Sequence, residues 1–151
     1  MNTVRTGAVA LLVVGPVCGA LLACAVTTPI EHNVFQQCGT VRTAVGHVLP
    51  QDAAAATAAE SCFARAYTTG CQASVLTYTS MGVDTGVTQT FSESRFNGAC
   101  AVKDTVQGYT ANGGGKTFPS QTSACTSVRQ QADGLLFTSC GAAGDVLVPA
   151  P

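Results

Sequence analysis

Six cysteines, Cys38, Cys62, Cys71, Cys100, Cys125 and Cys140, recur through the chain at intervals of nine to twenty-nine residues. No other feature restricts the fold as much, because every cross-link between two of them ties distant segments together. Six cysteines allow fifteen pairings. None stands in a Cys-x-x-Cys pair, and only His32 and His47 offer imidazole nitrogen. Zinc sites normally take their ligands in close pairs, so no metal and no cofactor is expected. The six read as three disulfides, provided that the chain folds in an oxidising compartment.

The start of the chain bears on that condition. Arg5 supplies a positive end, and Gly7 to Ala23 carries no charge and is rich in Ala, Val and Leu. A positive end, an apolar run and then small residues is the pattern of an export signal. Gly15-Pro16 interrupts the run and argues against one continuous buried helix. It closes on Leu21-Leu22-Ala23-Cys24. This stretch resembles the lipobox of bacterial lipoproteins: Leu at minus three, a small residue at minus one, then Cys. The resemblance implies that Cys24 is lipidated on its sulfur and becomes the acylated first residue of the mature protein. A single acyl chain holds a membrane only marginally, so more than one matters physically. Ala23-Cys24-Ala25 also fits small-x-small cleavage, which would release a secreted protein. Gly7 to Val26, left uncleaved, is just long enough to span a bilayer. All three readings put the six cysteines outside the cytoplasm, and both cleavage routes remove Cys18 and Cys24 from the bridge-forming set.

The expected organisation is therefore a signal segment over residues 1–23, a tether over 24–35 and one domain over 36–149. Without the signal segment, six basic side chains face eight acidic ones, with no cluster of Lys or Arg. Nucleic-acid binding depends on concentrated positive charge, so no nucleic-acid partner is expected. The expected partners are the membrane, through lipid on Cys24, and an unknown protein or small ligand.

Within the domain, Gln37 to Val45 suits a strand, closed off by Leu49-Pro50. Asp52 to Thr69 is the clearest helix. Asp52 stands at the N-cap, an alanine run follows, and Gly70 stops it. Ala55, Ala59, Cys62, Phe63, Ala66 and Tyr67 fall at helical spacing and make one apolar stripe. Beyond Ala73 the chain turns to Thr, Val and aromatics. Strands are expected over Ser74–Met81 and Val87–Phe96, with a turn at Gly82–Gly86 between them. Asn97-Gly98 signals a tight hairpin turn, and Cys100–Tyr109 is read as its second strand. Ser123–Gln130 and Leu135–Cys140 form a last hairpin about residues 131–134, and Asp145–Val148 adds a terminal strand. If Gln130 faces Leu135, counting outward sets Cys125 opposite Cys140. This is the preferred pair, because opposed strand positions approach disulfide reach. Cys100–Cys125 is the rival, and Cys62 could meet Cys71 only if the chain folds back at Gly70.

These elements predict an α+β domain: one amphipathic helix across an antiparallel sheet of four to six strands, stapled by disulfides. In element order it looks like the cystatin-like or NTF2-like layout, with no motif of either family.

No reactive constellation stands out. There is no Gly-x-Ser-x-Gly elbow, the acids are scattered singly, and His47 beside a strand end reads as a surface residue. The glycines ahead of Lys116-Thr117 do not make a phosphate loop, because Thr110 occupies the place of its first glycine. The expected function is a non-catalytic binding or structural module at the cell surface. The alternative is a secreted inhibitor presenting Met81–Gly86 or Gly108–Pro119 to an extracellular enzyme.

Overall fold

The computed structural model describes residues 35–110, 115 and 117–151. The signal segment, Cys24 and His32 lie outside these residues. The chain divides into two units, Met1–Glu31 and His32–Pro151, and the second contains everything below.

Among the described residues, nine strands and one α-helix follow in the order β1 (Gln36–Ala44), β2 (His47–Val48), α1 (Ala53–Thr68), β3 (Ser74–Met81), β4 (Thr85–Phe96), β5 (Ala99–Thr110), β6 (Gln121–Cys125), β7 (Ser127–Gln131), β8 (Gly134–Thr138) and β9 (Val146–Pro149). They build a six-stranded sheet, ordered β2-β1-β3-β4-β5-β6, and a three-stranded sheet, ordered β7-β8-β9.

The larger sheet is mixed, which corrects the antiparallel expectation. β1 and β3 run parallel, from Gln36 beside Ser74 to Ala44 beside Met81. The cause is the helix between them: α1 carries the chain back to the end where β1 began, so the next strand repeats its direction. Parallel neighbours require such a crossover. β3, β4, β5 and β6 are antiparallel throughout. The cystatin-like or NTF2-like layout, read as one helix on one antiparallel sheet, therefore does not describe this domain. A second sheet shares the work of covering the first.

That second sheet arises because the expected Ser123–Gln130 strand is two strands. β6 pairs with β5 in the large sheet, while β7 pairs with β8 in the small one. The chain turns between them at Thr126, whose amide and hydroxyl both donate to the Thr138 carbonyl, at 2.8 and 3.1 Å. Gln130 does face Leu135. Asn97-Gly98 makes the tight β4–β5 turn with φ of 49° and 81°, the left-handed pair that a two-residue turn of this kind requires.

One face of the large sheet is covered in two parts. α1 packs on β1 and β3 and also touches β7 and β8. The three-stranded sheet lies over β4 and β6, where Phe137 stacks on Phe91 at 3.7 Å between ring centroids. Phe63 of α1 meets the same Phe137 at 5.6 Å. Val41, Leu76, Val102, Leu135 and Val148 complete this single core. The buried face of α1 is Ala56, Ala59, Glu60, Phe63 and Ala66. Ala55, assigned to the stripe from the sequence, is exposed, and Glu60, which was not assigned to it, lies on the buried face.

Candidate functional site

Three disulfides staple the domain. Cys38 of β1 joins Cys62 of α1, Cys71 after α1 joins Cys100 of β5, and Cys125 ending β6 joins Cys140 after β8. Each ties different layers or segments of the sheet. Neither Cys62–Cys71 nor Cys100–Cys125 forms. Gly70, at φ 108°, ends the helix as expected, and its carbonyl accepts the Arg95 guanidinium at 2.6 Å. Cys71 is thereby directed to β5 and away from the helix. A bridge set of this kind in a small domain fits an oxidising compartment outside the cytoplasm. Among the described residues, no helix is long and apolar enough to cross a membrane.

The covered face of the large sheet holds a polar seam that the sequence did not single out. Glu93 of β4 and Asp104 of β5 are fully buried, and Glu60 of α1 is 3 % exposed. The register shows how the two strand acids arise. Ser74, Glu93, Val102 and Cys125 form one row across four strands, and Leu76, Phe91, Asp104 and Ser123 form the next. Glu93 accepts the Ser74 hydroxyl at 2.8 Å, and Asp104 accepts the Gln89 amide at 3.1 Å. The second oxygen of each, together with Oε1 of Glu60, is buried without a hydrogen-bond partner.

Removing a carboxylate from water without a compensating charge favours its neutral form. Burial pushes Glu60 up to about 7. It also pushes Glu93 up to about 7, against the opposing hydrogen bond from Ser74. Asp104 is likewise raised by burial, with the Gln89 amide pulling the other way. Among the described residues no three His, Cys, Asp or Glu side chains converge as a metal would need. Period-two alternation would have flagged Glu93, since it lies on the face of β4 that carries Gln89 and Phe91.

The opposite face of the sheet is a different surface. Thr40, Thr77, Thr90, Thr105 and Thr122 stand side by side on β1, β3, β4, β5 and β6. They form a row of hydroxyl and methyl groups one strand spacing apart, about 4.8 Å. Thr105 and Thr122 hydrogen-bond each other at 3.0 Å. Arg42, Thr79, Thr88 and Gln107 form the neighbouring row. All of these side chains are partly or fully exposed.

His47 is exposed on β2. Of the two candidate inhibitor loops, the first is a tight turn: Met81 pairs with Gly86, and the Gly82 amide bonds the Thr85 carbonyl at 2.8 Å. Val83 projects from it, 85 % exposed. In the second, Phe118 folds back so that its amide bonds the Gly108 carbonyl at 2.9 Å; residues 111–114 and Lys116 of that loop lie outside the described residues. A shallow depression of about 170 Å³ beside Cys62 is lined by Gln36, Arg65, Ala66 and Gln72. It brings no nucleophile to a base.

Compared with family models, with curated proteins and with solved structures, the chain matches none. The functional reading rests on the geometry of the domain and on the export pattern of the sequence.

Proposed function

We propose that this chain is an exported, lipid-anchored, non-catalytic module that displays its stapled domain at the cell surface and binds a protein or small ligand there. The observation that carries the reading is the outer sheet face: an uncharged row of five threonines on a platform held by three disulfides. The export pattern and Leu21-Leu22-Ala23-Cys24 supply the anchoring half of the proposal.

Two measurements test it. Intact-mass analysis of the native protein should give a mature chain that starts at Cys24, carries acyl groups and has no free thiol. A Cys24→Ala variant should leave the detergent phase for the aqueous phase. A mature chain without lipid would remove the anchor and leave the secreted alternative standing. For the binding half, the unlipidated domain should co-sediment with isolated cell envelope. Thr90→Lys with Thr105→Lys should abolish this while leaving the melting temperature within a few degrees. Unchanged sedimentation of the double variant would remove the threonine face from the proposal.

The inhibitor reading is supported by the exposed Val83 on a braced turn. Stoichiometric slowing of an extracellular protease, lost on Val83→Asp, would favour it over the reading above.

A further inference from the structure

The buried acids do not belong to the binding face, yet their placement is systematic. One lies on α1, one on β4 and one on β5, all in the layer where the large sheet meets its covers. Each leaves a carboxyl oxygen buried and unpartnered. Leaving such an atom unpaired when charged costs far more than leaving it neutral.

Among the described residues, the charged groups nearby are exposed or engaged elsewhere, and none partners these oxygens. On α1, Arg65 is exposed. Arg42 of β1 and Lys103 of β5 are exposed on the outer face of the sheet. Arg95, next to last in β4 and on the same face as Glu93, is exposed and donates to the Gly70 carbonyl. Arg129 of β7, His47 of β2 and the turn acids Asp133 and Asp145 are exposed. Asp52 sits at the start of α1, eight residues before Glu60. Tyr78 of β3 is partly buried, and its hydroxyl accepts from Thr43 at 3.3 Å. β6, β8 and β9 contribute no ionisable side chain, since Cys125 is bridged.

The covers are tied to the large sheet covalently. Cys38–Cys62 holds α1 to β1, and Cys125–Cys140 holds the three-stranded sheet to the edge strand β6. We propose that the seam between the large sheet and its covers is a pH-responsive joint, closed when Glu60, Glu93 and Asp104 are neutral and loosened as they ionise, with the disulfides retaining both covers while it opens. Carboxyls raised by burial bind more protons in the folded chain than in the unfolded one. The contribution of Glu60 and Glu93 is therefore complete below the ordinary carboxylate range and is lost as pH rises through about 7, and Asp104, also raised by burial, acts in the same direction.

The test uses the oxidised full-length chain. Between about pH 4 and pH 8 its melting temperature should fall by roughly 10 °C or more. Hydrogen-exchange protection, corrected for the intrinsic effect of pH, should fall first in α1 and β8 and persist in β3, β4 and β5. The variant Glu60→Gln, Glu93→Gln, Asp104→Asn should flatten both profiles. Should the triple variant not fold, Glu93→Gln alone, which keeps an acceptor for Ser74, should reduce the slope. A melting temperature that stays level or climbs across the window would overturn the proposal. So would a loss of protection spread evenly over the sheet, or a slope unchanged in the variants.

Discussion

Phe137 touches both other large rings of the core. It stacks on Phe91 of the large sheet and meets Phe63 of the helix, and all three are fully buried. Truncating it opens a cavity at the point where three elements converge. Phe137→Ala should cost about 3–5 kcal/mol, as phenylalanine truncations in cores do, read by denaturant unfolding of the oxidised protein. Gly134 is constrained differently. At φ 139°, a β-carbon built there would run into the Val148 carbonyl oxygen, a backbone atom held in the β8–β9 pairing. Gly134→Ala should therefore destabilise by more than about 1 kcal/mol and detach β9 from β8, visible as lost protection of the β9 amides. At this scale the sequence was partly legible. Asn97-Gly98 announced its turn, and Gly70 announced the helix end. Asp52 was legible in place but not in chemistry: it occupies the N-cap position without a side-chain capping bond, because a short 3-10 turn over Pro50–Asp52 leads into the helix.

Among the elements, α1 decides the most. Its alanine-rich sequence has high helix propensity, and Ala59 allows close approach: its β-carbon lies 3.3 Å from where Gly39 would carry one. Helix and β1 are then locked by Cys38–Cys62. The small sheet depends on Cys125–Cys140, which closes a segment of about fifteen residues. Replacing both of these cysteines by serine should cost about 3 kcal/mol in the chain-entropy model. The loss should appear as faster proteolysis within residues 126–150 before the large sheet is affected, measured by limited digestion and mass analysis. The breaking of one expected strand into β6 and β7 could not be read locally. Ser, Thr, Val and Gln on either side of Thr126 suit a strand in either sheet, and only the pairing of β6 with β5 separates them.

For the molecule as a whole, two faces of one sheet have opposite characters. One is a row of threonines open to water; the other carries two buried acids, Glu93 and Asp104, beneath a cover whose helix buries a third, Glu60. On the two proposals taken together, the outer platform stays rigid while the covered side responds to acidity. The two proposals separate experimentally. Substituting the threonines should leave the pH slope of stability intact, and neutralising the acids should leave envelope binding below pH 5 intact, measured by melting and sedimentation of the same variants.

The sequence by itself determined the local matters: the helix, most strand positions, the tight turns, and six cysteines suited to an oxidising compartment. These follow from propensity, alternation and backbone freedom, which act over a few residues. The direction of β3 beside β1, the division into two sheets, the pairings of Cys38 with Cys62 and Cys71 with Cys100, and the burial of Glu60, Glu93 and Asp104 were decided only by the tertiary structure. They depend on which segments meet across twenty or more residues: alternation puts Glu93 on the Phe91 face of its strand, but only the second layer decides that this face is covered.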